Sequence, residues 1–238
     1  MIKINPLTTL HLLVALLMPA VFGLLLGLLV ALLTFSRRRG LNLMTRFLGW
    51  FGALLAGIRF DITGTIEDQD RPCIFVFNHQ SGLDPIILCH VIKKDVIALA
   101  KIELKNNPVI GPLLWFGETI FVDRSDQQKK PDVYQPAIAA LAKGRSIAIA
   151  PEGKRINRAP IGKFKMGAFK IAAEAGVAII PIVIKDAKNC LPAKSVKLTS
   201  GTIHIEILPP IPAKTLKNNI SESVAWLESQ YIEKLNES

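Results

Sequence analysis

The sequence predicts a single α/β domain built on a central mixed sheet and preceded by an N-terminal membrane helix or helical hairpin. Three observations lead there. Past residue 58, short apolar runs alternate with segments of helical period. Before it, residues 10–35 form an almost unbroken apolar stretch, long enough to cross a bilayer. The rest of the 238 residues leaves room for one domain of ordinary size. The division is therefore 1–58 for a membrane anchor with an interfacial helix, and 59–238 for the α/β domain.

The elements follow in order. The apolar run 10–35 is too long for a signal-peptide core, and Lys3 alone is a weak basic leader. Arg37-Arg38-Arg39 follows it directly, and such a cluster stays cytoplasmic. Pro19, Gly23 and Gly27 allow a kink, so a hairpin broken near Pro19 stands beside a straight span. Residues 41–58 put Leu41, Met44, Leu48, Phe51, Leu55 and Ile58 on one helical face, with Arg46 and Trp50 suited to a membrane interface. A core helix of the domain has the same pattern. Strands are expected at residues 60–63, 74–77, 96–100, 119–122, 146–150, 177–184 and 202–208. Helices are expected at 85–92, 108–116, 133–143, 166–175 and 221–235, with Gly144 and Gly176 as stops. Residues 123–136 form the most polar loop.

Charge narrows the partners. Lys and Arg number 29 against 19 acids, a formal net charge of +10, so an anionic partner is expected. Zinc-ligand spacing, aromatic-basic strand motifs and basic heptads are all lacking, which leaves an anionic membrane surface rather than nucleic acid. Cys73, Cys89 and Cys190 are widely spaced and odd in number, and read as small core residues of a reducing compartment. No cofactor and no metal is called for.

The densest chemistry lies in Asn78-His79-Gln80-Ser81-Gly82-Leu83-Asp84. An apolar strand precedes it and Asp84-Pro85 opens a helix, with Asp at the N-cap and Pro at the first helical position. An aspartate holds imidazole in one tautomer and stabilises its charged form, which makes His79 a competent general base. The same residues also serve as an ordinary turn and cap. Cations recur beyond three strand ends, where open α/β sheets bind ligands: Lys101, Arg124, and Lys154-Arg155 after Glu152-Gly153. Gly153 allows close backbone approach, and Arg155 suits a two-pronged grip on phosphate.

These blocks resemble the glycerolipid acyltransferase family. Four of them stand in the family's order: Asn78 to Asp84, the H-x4-D block; Gly117 to Arg124 with Phe121, preceded by Lys101-x-Glu103-Leu104; Pro151-Glu152-Gly153-Lys154-Arg155, where Thr is more usual than Lys154; and Val177 to Ile182. The resemblance covers about residues 60–208. It implies transfer of a fatty acyl group from acyl-CoA or acyl-carrier protein to the sn-2 hydroxyl of 1-acyl-glycerol 3-phosphate (lysophosphatidic acid), giving phosphatidic acid. It implies His79 and Asp84 as catalytic residues, and Lys101, Phe121, Arg124, Glu152, Gly153 and Arg155 as substrate-binding residues. Glu152 would order the arginine or bind a glycerol hydroxyl, and N–H groups around Gly82 would face the oxyanion. The expected place is the inner membrane, with the domain facing the cytoplasm. Another lysolipid acceptor, or a non-catalytic protein that binds anionic lipid, are the competing readings. Gly-x-Ser-x-Gly is absent, which argues against a serine hydrolase.

Overall fold

A computed structural model describes residues 6–108, 110–122, 134–155, 161–193 and 195–237. Helices α1 (Pro6–Thr34) and α2 (Arg37–Ala56) come first. Strand β1 (Ile58–Thr63), β2 (Ile74–Phe77), α3 (Asp84–Ile92), β3 (Val96–Lys101), α4 (Gly111–Phe116) and β4 (Ile120–Val122) follow. Then come α5 (Gln135–Ala142), β5 (Ser146–Ile149), α6 (Gly167–Ala175), β6 (Ile179–Lys185), α7 (Ala187–Cys190), β7 (Gly201–Ile207), α8 (Ala213–Asn218) and α9 (Ile220–Asn236). The seven strands form one sheet in the order β1-β7-β6-β2-β5-β3-β4. Among the described strands only β6 and β7 pair antiparallel, so the sheet is mixed as expected.

The central strands read as continuous apolar runs because both their faces are covered. Ile74, Phe75, Val76, Ile179, Ile180 and Ile182 are all buried. Full burial of one such side chain contributes about 1.5–3 kcal/mol. One core layer gathers Phe75, Phe77, Ile87 and Ile182 beneath α2 and α3; the other gathers Ile74, Val76, Phe169 and Tyr231 beneath α6 and α9. Gly176 ends α6 in the left-handed conformation, φ 71°, as the sequence marked.

The apolar N-terminal helix is present as expected, but without the alternative break near Pro19. Helix α1 continues through Pro19, and the chain reverses at Phe35-Ser36 instead. Ser36 caps α2 by accepting the Arg39 N–H. The two helices then pack antiparallel along their length. His11 Nε2 lies 2.8 Å from Leu55 O near one end, and a Cβ on Gly40 would stand 2.2 Å from Gly27 O near the other. Glycines permit this crossing because their backbones touch.

Helix α2 is not a free interfacial helix. Its most buried stripe is Leu41, Met44, Thr45, Gly49, Gly52, Ala53 and Ala56, and much of it is small. Those small residues admit α3: a Cβ on Gly49 would lie 2.4 Å from His90 N, and one on Gly52 would lie 2.9 Å from Ile86 Cδ1. Trp50 and Leu54 remain exposed.

The arginine cluster is bound to the domain as well. Arg37 donates to Phe116 O and Trp115 O, and Arg38 to Asp95 Oδ1 at 2.6 Å and Gly144 O at 3.2 Å. The hairpin is thus docked near both of its ends. Its outward face keeps Leu10, Leu17, Val21, Phe22, Leu25, Leu29, Leu32 and Phe35 exposed, and Phe35 is 96% accessible.

Candidate active site

Strands β2, β5, β3 and β4 are mutually parallel neighbours, so their carboxyl ends open on one edge of the sheet. His79 leaves β2 there, Glu152, Gly153 and Arg155 leave β5, and Lys101 closes β3. Phe121 sits half-buried on β4 opposite Ala100. Lys101 is exposed. Arg124, the remaining expected contact, lies outside the described residues.

His79 Nδ1 and Asp84 Oδ2 form a short hydrogen bond. Asp84 is 2% exposed, whereas the His79 side chain keeps 24% of its surface open. Burial pushes the Asp84 carboxyl above the usual range, while the His79 bond and the charges of His79 and Arg155 pull it down. With Nδ1 bonded to the carboxylate, Nε2 is the ring nitrogen left for chemistry. The N-cap expectation for Asp84 is corrected here. Leu83 takes the cap position without a side-chain bond, and Asp84 is the first helical residue, its carboxylate turned to His79.

Glu152 has a different place from the one expected. It is 5% exposed, its Oε1 accepts the His79 N–H at 2.7 Å and its Oε2 accepts the Gly162 N–H at 2.7 Å. The carboxylate therefore clamps the β2 turn to the loop after β5, with both oxygens on backbone donors. Burial raises its pKa, and the two N–H donors oppose the rise. Gly153 has φ 72°, a left-handed turn that favours glycine.

Three neighbours take bracing roles that the sequence did not assign them. Asn78 is fully buried, and its side chain donates to Ile184 O and accepts from Ile184 N, both at 2.8 Å. Ser81 Oγ donates to Leu191 O at 2.8 Å and accepts the Leu83 N–H at 3.1 Å, so its hydroxyl braces the turn. Tyr231, on α9, places its hydroxyl 2.7 Å from Val76 O. A buried Asn directly after an apolar strand is a signal open to inspection; nothing local ties Tyr231 to the site.

The chain is similar in sequence and fold to known proteins. A family model described as Acyltransferase matches residues 59–185, more than half of the chain. The chain is 32% identical over 165 residues to 1-acyl-sn-glycerol-3-phosphate acyltransferase alpha of Ovis aries, covering 68% of this chain and 58% of that one. The beta form of Homo sapiens is 30% identical over 174 residues, with 71% and 63% covered. The 1-acyl-sn-glycerol-3-phosphate acyltransferase of Salmonella typhimurium is 28% identical over 166 residues, with 69% and 67% covered. The matched part spans about three-fifths of the length of the mammalian relatives. In fold, the crystal structure of the 1-acyl-sn-glycerophosphate (LPA) acyltransferase PlsC from Thermotoga maritima superposes with a TM-score of 0.76 at 22% identity, covering 98% of this chain and 96% of that one. With the family model spanning the His79–Asp84 turn, the Glu152 clamp and the sheet edge that carries both, the chain belongs to the acyltransferase family.

Proposed function

We propose that the protein transfers a fatty acyl group from a coenzyme A or acyl-carrier-protein thioester to the sn-2 hydroxyl of 1-acyl-glycerol 3-phosphate. The observation that carries this reading is the His79–Asp84 pair, with Asp84 buried and His79 open at the carboxyl edge of the sheet. His79 Nε2 takes the proton of the acceptor hydroxyl as its oxygen attacks the thioester carbonyl. The tetrahedral intermediate collapses, the carbon–sulfur bond breaks, and the thiolate takes the proton back from His79. Asp84 stabilises the imidazolium in between. The Leu83 N–H is engaged by Ser81 Oγ, so the Gly82 N–H is our choice for the oxyanion. Arg155, Arg124 and Lys101 supply positive charge for the acceptor phosphate, and the Arg155 charge reaches as far as Asp84.

The bare apolar face of α1 supports a place at the membrane. We read it as the surface that enters the bilayer, on the cytoplasmic side of the inner membrane, where acyl thioesters and lysophospholipid meet. The return of α1 through α2 onto the domain supports a hairpin with both ends on the domain's side of that membrane. The deciding experiment assays labelled lysophosphatidic acid with acyl-CoA and with acyl-carrier-protein thioesters in purified membranes. Wild type makes phosphatidic acid, and His79→Ala loses roughly 10²–10⁴-fold in turnover while remaining membrane-bound. Undiminished turnover in His79→Ala refutes the mechanism. Transfer only to lysolipids of another head group refutes the acceptor.

A further inference from the structure

Strand β1 ends the sheet, and its outer edge is complementary to itself. The order β1-β7-β6-β2-β5-β3-β4 leaves one side of β1 without a neighbouring strand among the described residues. The phase of its ladder decides what that side presents. Gly201 N donates to Gly57 O at 3.2 Å, and Ile58 is paired with Gly201 in the parallel register. The bonds to β7 then run through Arg59, Asp61 and Thr63, so Ile58, Phe60 and Ile62 turn both N–H and C=O outward. An unpaired edge of this kind is a template for one more strand.

The side chains select the partner. Arg59 and Asp61 are exposed, two positions apart and on the same face of the sheet. Arg59 has no ion-pair partner among the described residues. Asp61 places Oδ2 2.9 Å from His204 Nδ1 across the β1–β7 pair. Lay a second β1 antiparallel, Phe60 opposite Phe60, and Arg59 of each copy stands opposite Asp61 of the other. Ile62, exposed in the single chain, then stands opposite Ile58 of the second copy. In this register Ile58, Phe60 and Ile62 occupy the hydrogen-bonded positions. Arg59 and Asp61 occupy the closer positions between them, about 4.5 Å apart at Cα. Backbone phase and charge thus agree on one alignment. Parallel pairing in register sets Arg59 on Arg59 and Asp61 on Asp61, which repels. An edge guarded by charges of one sign repels its own copies in any register; opposite signs two residues apart do not.

Symmetry gives a further reason. Antiparallel edge pairing has its two-fold axis normal to the sheet, so each face continues onto the same face of the second copy. Phe60 packs in the core layer beneath the hairpin, its ring 4.5 Å from that of His90. Both hairpins therefore stand on one side of the joined sheet, as two molecules on one bilayer require. Parallel pairing about a two-fold turns them to opposite sides.

We propose that two copies of this chain join through β1, antiparallel about Phe60, into one continuous sheet. The acyl-transfer reading plays no part in this. The membrane reading enters only because confinement to a bilayer raises the effective concentration, which suits an interface of one strand.

The test measures energy transfer between full-length copies labelled at the C-terminus, in vesicles of phosphatidylcholine and phosphatidylglycerol at increasing lipid dilution. Wild type transfers energy above the level of random proximity. Arg59→Asp alone and Asp61→Arg alone each set like charges opposite one another and weaken self-association roughly tenfold. Mixed together, the two variants regain both ion pairs, and transfer between them returns close to the wild-type level. Misfolded chains do not rescue each other in this way. Wild type at the level of random proximity, or variants that fail to recover on mixing, overturn the proposal. Protein that does not bind the vesicles refutes the membrane reading, and the same mixing in detergent micelles then decides the pairing. Should a charge variant fail to fold, Arg59→Cys mixed with Asp61→Cys is oxidised, with wild type as the blank for Cys73, Cys89 and Cys190. A disulfide forms between the two variants and not within either, because like positions lie on the diagonal, about 7–8 Å apart. No cross-link in the mixture, or as much within one variant as between the two, refutes the alignment.

Discussion

Replacing Glu152 by alanine separates a clamp from a substrate contact. The change removes two hydrogen bonds of 2.7 Å from a carboxylate that is 5% exposed. A bond to a charged acceptor contributes about 1.5–3 kcal/mol, so the gross loss is about 3–6 kcal/mol. Against this, the variant no longer buries a carboxylate, a cost visible in the raised pKa of Glu152. The expected net loss of stability is therefore about 2–4 kcal/mol. The rate suffers through position: His79 loses the acceptor of its own N–H, and displacement of a reacting group by about 1 Å costs roughly 10²-fold. Glu152→Gln keeps one acceptor oxygen and turns an amide N–H toward the other donor, so it falls between. Denaturant unfolding and turnover of lysophosphatidic acid in mixed micelles measure both quantities. The clamp predicts a fall in kcat and in stability with KM little changed. A variant of native stability whose only defect is a higher acceptor KM refutes it, and returns Glu152 to the substrate.

Three other outcomes are expected. Arg155→Ala raises the acceptor KM by tenfold or more and leaves the donor KM alone, while Arg155→Lys recovers only part, because a point charge does not replace the two-pronged grip; initial-rate kinetics in each substrate checks it. Burial pushes Asp95 up, but hydrogen bonds from Arg38 and Asn42 and the nearby positive charges outweigh it, so its folded pKa lies below the ordinary value. The stability it contributes is present above the unfolded carboxylate pKa and is lost as pH falls through the lower folded one. Asp95→Asn, with Arg38 half-exposed, costs about 1 kcal/mol at pH 7, and its acid-unfolding curve converges with wild type at low pH. Gly40→Ala gains about 0.5–1 kcal/mol of helix propensity. It also forces a Cβ to 2.2 Å from Gly27 O and 2.9 Å from Ala31 Cβ, and such overpacking costs about 1–3 kcal/mol, so the melting temperature falls.

The parts of this molecule legible in its sequence are those held by neighbours in the chain. Strands β2 and β6 stand out because burial on both faces leaves only apolar residues. His79 and Asp84 stand out because one turn carries both. What sequence reading lost was long-range. Glu152 looked like a ligand group beside Arg155, but its bonds go to His79, 73 residues earlier, and to Gly162. Tyr231 and Val76 are 155 residues apart, and an i, i+3, i+4 pattern on α9 marks Tyr231 only as core. Pro19 drew attention as a break because proline disrupts isolated helices, yet the signal for the real packing lay in Gly23, Gly27, Gly40, Gly49 and Gly52, where hydrophobicity is silent. The arginine triplet looked like a topological marker, and Arg37 and Arg38 also serve as ties to Phe116 and Asp95.

The sheet order also dictates a timetable for synthesis. Strand β1 follows the hairpin immediately, yet its sheet neighbour is β7, with Ile58 paired to Gly201. A ribosome delivers the apolar hairpin first, and the strand behind it has no edge to join until nearly all of the domain has emerged. The hydroxyl of Tyr231 comes later still. On the proposed membrane reading, the hairpin is therefore available to lipid well before the domain can close over its sheet. The nascent protein would then be seated on the bilayer while β1 still waits for its partner strand. Folding of the site would in this sense be a surface event.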